Sequence, residues 1–441
     1  MFDTIIIGAG AAGLACASRL HAAGARIVVL EARNRIGGRI LTERAPDLDA
    51  PIELGAEFVH GEAEPVRDVA SQFHLPRVDM SGTRFAHTHG RLRPDRDFWP
   101  RVDRVARRLN ANGANDRSFA DALAANRRSL SPVDRGFASQ YVEGYHAADT
   151  TLISEHALAD GGFPEGDEHE QRIGRVLSGY GPMMERLAST IGRQIRLGCV
   201  VTRVAWKERR VDVTLLDSSK ERTETLSGRT VVIAVPLGVL AAAADAPGAI
   251  AIDPPIASHM RAVELMAMGA VVKLALRFDH AFWHEERLAE RLGVKRLDQM
   301  SFIQSSGRLE FPVWWSMYPI DAPLLIAWRG GPVATEMSRL PMHELRRRAV
   351  ASLAEIFAMK PAALRRRLVS TFNHDWINDP FSRGVYSYSR VGGDNACVML
   401  SRPVHDTIWF VGEAADRLGR TGTVHGAIGS GWRAADEILR R

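Results

Sequence analysis

Two glycine-rich strand-to-helix junctions, roughly 400 residues apart, constrain this chain more than any other feature. At the N-terminus a β-branched run, residues 4–7, leads into Gly8-Ala9-Gly10-Ala11-Ala12-Gly13. An apolar helical pattern through Leu14, Ala17 and Leu20 follows and stops at Gly24. That order is what the GxGxxG dinucleotide fingerprint requires. Glycines close the turn and let the backbone approach a pyrophosphate at a helix N-terminus, where unpaired N–H groups and the helix dipole favour negative charge. A second strand, residues 26–30, ends in Glu31, placed to accept hydrogen bonds from ribose hydroxyls. At the C-terminus Phe410-Val411-Gly412-Glu413-Ala414 leads through Gly422-Thr423-Val424-His425-Gly426-Ala427 into a helix-like Gly431-Trp432-Arg433-Ala434-Ala435. Two such helix ends can grip one cofactor from both sides, so both chain ends are expected in one domain.

The fingerprint alone does not separate nicotinamide from flavin. The extension Glu31-Ala32-Arg33-Asn34-Arg35-Ile36-Gly37-Gly38-Arg39 either lays more backbone and a fixed cation along the cofactor or is a solvated loop after a strand. Together with Glu53-Leu54-Gly55-Ala56, Gly412-Glu413 and Thr423-Val424-His425-Gly426-Ala427, these segments resemble the flavin-containing amine oxidase family, which includes monoamine oxidases, polyamine oxidases and lysine-specific histone demethylases. The resemblance runs from residue 4 to residue 438 and is loose between 84 and 175. It implies FAD as cofactor. The cofactor-binding residues it implies are Gly8, Gly10, Ala12, Gly13, Glu31, Ala32, Arg33, Gly38, Arg39, Gly55, Ala56, Glu57, Val201, Trp376, Gly412, Glu413, Thr423 and Val424.

A chain of 441 residues exceeds the size at which one core keeps growing, and 46% hydrophobic residues suffice for two. The expected class is α/β (α+β, two-domain): a Rossmann-like FAD-binding domain from residues 1–80, 176–265 and 386–441, with a discontinuous substrate domain of mixed sheet plus helices from 81–175 and 266–385. In the latter, 81–175 reads as helices and loops, whereas 270–278, 311–318 and 324–329 read as apolar strands. Trp314, Trp315, Tyr318 and Trp328 on those strands either floor a pocket or are core. No stretch is apolar enough to span a bilayer and the N-terminus has no basic leader, so a soluble, cytoplasmic protein is expected. Cys16, Cys199 and Cys397 are too scattered for a metal site. The net charge of +5 could suggest nucleic acid. However, Arg91, Arg93, Arg96, Arg101, Arg104, Arg107 and Arg108 alternate with aspartates and with Val102, Val105 and Leu109 at helical spacing, which reads as an amphipathic helix with a solvated face. The acidic run Glu165, Asp167, Glu168 and Glu170 reads the same way, as a solvated loop.

The chemistry-bearing residues are fewer. There are five lysines against 52 arginines, so Lys273 inside Val271-Val272-Lys273-Leu274-Ala275-Leu276 is not compositional drift. A strand lysine can point to solvent. The resemblance instead implies that it holds a water at flavin N5 and assists reoxidation by oxygen. Trp376 and Tyr386, in the segment that contains Asp379-Pro380 and Ser382-Arg383-Gly384-Val385-Tyr386, match a tryptophan beside the flavin and one wall of an aromatic cage, whose ring faces attract an approaching cation. Val385 stands where monoamine oxidases carry the cysteine bonded to flavin, so FAD is expected to be noncovalent. Thr423 stands at the second cage position and half-opens it. Phe58-Val59-His60-Gly61 is similar to a polyamine oxidase motif, placing Glu57 and His60 on the substrate side with one of them against a distal ammonium, alongside Tyr386 and Thr423. A loop histidine is as readily structural.

An alkylammonium has a pKa near 10.4, so presenting the neutral amine at pH 7 costs about 4 to 5 kcal/mol. Desolvation in an aromatic pocket recovers part of that cost, and no dedicated base is needed. The expected reaction is hydride transfer from the amine α-carbon to flavin N5, hydrolysis of the released imine to an aldehyde, and reduction of O2 to H2O2, with a small monoamine or polyamine as substrate. A homodimer is left open. Two alternatives remain: another flavin reaction on this fold, of desaturase or protoporphyrinogen-oxidase type, which Lys273 and Tyr386 disfavour; or a demethylase-like or non-catalytic flavin-binding interaction protein, which Thr423 favours.

Overall fold

The computed structural model describes residues 1–111, 115–160, 172–217, 221–306 and 309–441. The acidic run at 165–170 lies outside them.

The β-branched N-terminal run forms the strand Phe2–Ile7, and the apolar pattern after it forms the helix Ala11–Ala22. The strand pairs in parallel with Ile27–Leu30 on one side and with the long Arg222–Ile233 strand on the other. The order in this eight-stranded sheet is Ile195–Arg196, Ile27–Leu30, Phe2–Ile7, Arg222–Ile233, Arg210–Asp217, Cys199–Lys207 and Ala251–Asp253, with Ile408–Phe410 also pairing in parallel with Arg222–Ile233. Parallel strands covered on both faces explain the unbroken apolar runs at the ends of Phe2–Ile7 and in Ile27–Leu30. The C-terminal helix Val424–Leu439 lies against Ala11–Ala22. They cross so closely that a Cβ on Gly431 would sit 2.2 Å from the Ala12 carbonyl oxygen. The two glycine-rich junctions thus meet at one end of one sheet, where a doubly wound fold places its ligand.

A second, seven-stranded sheet runs Leu368–Phe372, Val271–Phe278, Leu324–Gly330, Val313–Ser316, Met300–Ser305, Thr83–Thr88 and Arg91–Pro94. Strand alternation sorts its side chains. Leu274, Leu276, Ile303, Trp314, Leu325 and Ala327 enter one apolar core, whereas Lys273, Phe302, Trp315 and Trp328 turn to a cavity on the other face. The aromatic strands are therefore both core and pocket floor, Trp314 serving the first and Trp315 and Trp328 the second.

The 81–175 stretch differs from the expected helices and loops, since it contributes Thr83–Thr88 and Arg91–Pro94 to this sheet. The arginine run is accordingly part strand and part helix. The helix is Phe98–Ala106, with Val102 and Val105 buried; Arg104 pairs with Asp134 at 3.1 Å and Arg101 with Asp95 at 3.8 Å. No helix among the described residues is long and apolar enough to cross a membrane.

Candidate active site

One cavity of about 1150 Å³ runs from the N-terminal glycine turn to the aromatic face of the second sheet. At its first end, Gly8 has φ +106°, a conformation that favours glycine, and a Cβ there would meet the Ala234 carbonyl oxygen at 2.9 Å. Gly10, Ala12 and Glu31 line the cavity, while Gly13 does not. A Cβ on Gly13 would fall 2.0 Å from the Gly8 oxygen, so its part is to let the helix pack against the turn. Glu31 accepts from the Ala9 and Arg33 N–H groups at 2.8 and 2.9 Å, which aims its carboxylate along the turn. Ala32, Arg33 and Val201 complete this end.

Next along the wall come Gly38 and Arg39. Arg39 donates to the Val385 carbonyl at 2.7 Å and to Glu413 at 2.8 Å. Glu413 also accepts from the Ser387 hydroxyl at 2.7 Å and from the Gly422 N–H at 2.9 Å. Burial works against its charge, but these donors more than offset it, and its carboxyl is held below the usual range. This clasp joins the two glycine-rich junctions across the cavity. Gly412 beside it has φ +133° and open space where a Cβ would be. Thr423 and Val424 also line the cavity, and the Thr423 hydroxyl caps the terminal helix, accepting from the Gly426 N–H at 3.0 Å while donating to the Arg420 carbonyl at 2.7 Å.

The residues fit an FAD. The helix Ala11–Ala22 starts at Gly10 with no side-chain cap, which leaves its first N–H groups for a ligand at the cavity wall. The cavity also exceeds the roughly 300–1,000 Å³ typical of a single small-molecule site, as a dinucleotide plus a substrate needs.

At the second end, Lys273 is buried at 4% exposure, and its ammonium donates to the Gly55 carbonyl at 3.1 Å and to Glu57 at 2.7 Å. Glu57 further accepts from Arg175 and from the Trp315 indole N–H at 2.9 Å. Burial raises the Glu57 pKa, but the flanking Lys273 and Arg175 outweigh it and the carboxyl stays ionised, below its ordinary value. Both its oxygens are therefore committed to protein donors, and Glu57 is not the free anion that a distal ammonium would seek. An ammonium has three donors and Lys273 has spent two, so one remains. Gly55 is pinned, since a Cβ would lie 1.9 Å from the Arg39 oxygen; Ala56 follows it along the wall.

Trp376 and Tyr386 face this region. The Trp376 indole donates to the Leu54 carbonyl at 2.8 Å; the Tyr386 hydroxyl donates to the Tyr145 carbonyl at 2.7 Å, and its ring lies 3.2 Å from where a Gly422 Cβ would be. His60 packs edge-on against Phe58 and Tyr145, with ring centroids 6.0 and 5.6 Å apart. Burial, with His425 nearby, pushes His60 down to about 4. Burial and Arg420 do the same to His425, also to about 4. Both imidazoles are neutral at pH 7.

Of the catalytic, cofactor-binding and substrate-binding residues expected from sequence, all but Gly13 line this cavity, whereas of the four strand aromatics Trp315 and Trp328 line it and Trp314 and Tyr318 do not. Sequence reasoning missed Arg175, Tyr145, Phe302 and Arg84, none of which lies in a motif. It quoted His425 in the terminal motif without giving it a role.

The chain matches the flavin-containing amine oxidoreductase family model over residues 11–439. It is 28% identical to polyamine oxidase 3 of Oryza sativa subsp. japonica, across 100% of this chain and 89% of that protein. It is 25% identical to lysine-specific histone demethylase 1 homolog 2 of the same plant, of whose length it covers 57%. Among solved structures it is similar to putrescine oxidase bound to putrescine (TM-score 0.80, 21% identity, 100% and 99% of the two chains). It is also similar to cyclohexylamine oxidase from Brevibacterium oxydans IH-35A (TM-score 0.80, 22% identity, all of both chains). At these identities the solved structures establish the Rossmann-like two-domain fold.

Proposed function

The chain belongs to the flavin-containing amine oxidoreductase family, and from that premise we propose that it is an FAD-dependent amine oxidase that converts R-CH2-NH3+, O2 and H2O into R-CHO, NH4+ and H2O2. The observation that carries this reading is the buried Lys273–Glu57 pair, backed by Arg175, on an aromatic wall of the same cavity as the glycine turn and the Arg39–Glu413 clasp. In this reading residues 1–80, 176–265 and 386–441 hold the cofactor, and 81–175 with 266–385 form the substrate side. FAD is noncovalent because residue 385 is valine rather than cysteine. When bound, FAD supplies the two-electron acceptor that takes the α-hydride at N5 and returns electrons to O2.

The chain does the rest. Gly8, Gly10 and Ala12 present backbone to the pyrophosphate, and Glu31 receives the ribose hydroxyls. Trp315, Trp328, Tyr386 and Phe302 desolvate the incoming ammonium and lower its pKa, which favours the neutral amine. The remaining Lys273 donor holds a water, and its positive charge stabilises anionic oxygen species during reoxidation. Neutral His60 offers an imidazole nitrogen to an N–H donor on the substrate.

A demethylase-like reaction on a substituted lysine is the second reading. It is favoured by Thr423, which caps a helix where a second ring would narrow the cavity. A panel of monoamines, polyamines and methylated lysine peptides, followed with both O2 and an artificial acceptor, tests these readings. Amine-dependent peroxide supports an oxidase, dye reduction alone supports a dehydrogenase, and silence from the whole panel overturns amine oxidation. Acid precipitation is expected to leave yellow flavin in the supernatant; flavin in the pellet contradicts noncovalent binding.

A further inference from the structure

Across the cavity floor, cross-strand pairing sets Phe302 opposite both Trp315 and Arg84, and Trp328 opposite Lys273. All five side chains line the cavity, so one face of the sheet carries a cation at each end with aromatic rings between. Four strand spacings separate Lys273 from Arg84, roughly 19 Å along the sheet at about 4.8 Å each, less the reach of two long side chains. The Lys273 charge is paired with Glu57, whereas Arg84 makes no ion pair among the described residues. Its guanidinium lies over the Phe98 ring at 4.0 Å and the Phe302 ring at 4.5 Å. Among the described residues no carboxylate comes within 4.0 Å of it, and the nearest acidic influence, Asp95, is 3.8 Å from Arg101. Burial pushes Arg84 down to about 10, with Asp95 only partly opposing. A guanidinium has five donors and no way to shed its charge at neutral pH. Gln304 lines the cavity one pleat along from Phe302 and offers a neutral partner beside it.

We propose that Arg84 is a specificity-determining residue, the anchor of a distal subsite that takes a carboxylate, so that the substrate is an amine with an acid at its far end and apolar chain between. The inference rests on the amine-oxidation reading and narrows it. An α-amino acid is too short, because its two groups share one carbon. A diamine or polyamine is disfavoured, because its second ammonium would meet the Arg84 guanidinium in a poorly solvated wall, where like charges repel strongly. An ω-aminocarboxylate of six to eight carbons reaches both ends.

The test uses the FAD-loaded enzyme with 8-aminooctanoate, octylamine and 1,8-diaminooctane, measuring kcat/KM for flavin reduction, and the non-oxidisable octanoate as a calorimetric binding probe. Wild type is expected to prefer the aminocarboxylate to the diamine. Arg84→Met is expected to lower the aminocarboxylate-to-octylamine ratio at least about 30-fold and to abolish octanoate binding, with Arg84→Lys in between. A ratio that Arg84→Met leaves within about twofold, with octanoate still bound, overturns the proposal and makes the guanidinium a structural partner of Phe98 and Phe302. Octylamine separates the two levels of argument. If it reduces the flavin while the ratio ignores Arg84, this inference fails and amine oxidation stands; if no amine reduces the flavin, the broader reading fails.

Discussion

Glu57 balances two buried cations, and removing it is not equivalent to removing either of them. Glu57→Ala leaves Lys273 and Arg175 facing one another without an anion, at 4% and 3% side-chain exposure. We expect it to cost about 3 to 5 kcal/mol, read as a drop in urea midpoint. Lys273→Met leaves the Glu57–Arg175 pair intact, so flavin content should hold while reoxidation by O2 slows roughly 100-fold, the scale of losing one preorganised charged donor. Unchanged oxygen kinetics in that variant would remove Lys273 from the chemistry. The sequence pointed to Lys273 because lysine is scarce here and because the residue interrupts an apolar strand. It could not point to Arg175, which reaches Glu57 only because the Ile173–Val176 strand lies beside Val59–His60. Nor could it show that Glu57 is fully engaged. A carboxylate's partners come from tertiary packing, and two of them, Arg175 and Trp315, lie 118 and 258 residues away.

At the scale of elements, the βαβ unit and the terminal helix were legible because backbone chemistry dictates their glycines locally. The second sheet was legible in its apolar strands and not at its edge. Thr83–Thr88 and Arg91–Pro94 are short and rich in polar residues, and their burial patterns show few buried positions. Such strands form because the neighbouring Met300–Ser305 strand offers an edge, not because their own sequence demands it. The crossing of the first and last helices gives a sharper element-level test. The neighbour of Gly431 is backbone, the Ala12 carbonyl, which cannot move without shifting the N-terminal glycine turn. Gly431→Leu should therefore force the helices apart and lose bound flavin, detected by absorbance after gel filtration, even where circular dichroism shows that helix content is retained. Full flavin occupancy in this variant would mean that the helices do not need this approach to form the site.

Over the whole molecule, buried titratable groups pull in opposite directions as pH falls, and their windows can be separated. His60 and His425 have folded pKa values near 4, below the ordinary 6.5, so the unfolded chain takes up protons first. Their contribution is present above pH 6.5 and is lost as pH falls from 6.5 toward 4, on the order of 2 kcal/mol per ring. Glu57 and Glu413 are depressed carboxylates, so their contribution is present above the ordinary 4.5 and is lost only below it. Glu53 opposes the histidines. Burial pushes it up to about 7 despite hydrogen bonds from the Tyr180 N–H and the Thr42 hydroxyl, so between 4.5 and 7 the folded chain holds the proton more tightly and acidification stabilises it. From pH 6.5 to 4.5 the lowered rings His60, His425, His87 and His259 compete with the raised groups Glu53, Glu143 and His156, and His60 and His425 carry the deepest shifts among the rings. A His60→Gln, His425→Gln double variant removes the two deepest ring shifts, and its stability should fall less steeply than that of wild type across that window. Urea midpoints measured at constant FAD saturation across pH 4.5 to 7 would show this, and a double variant that falls as steeply as wild type would mean that the two rings are not the groups that titrate.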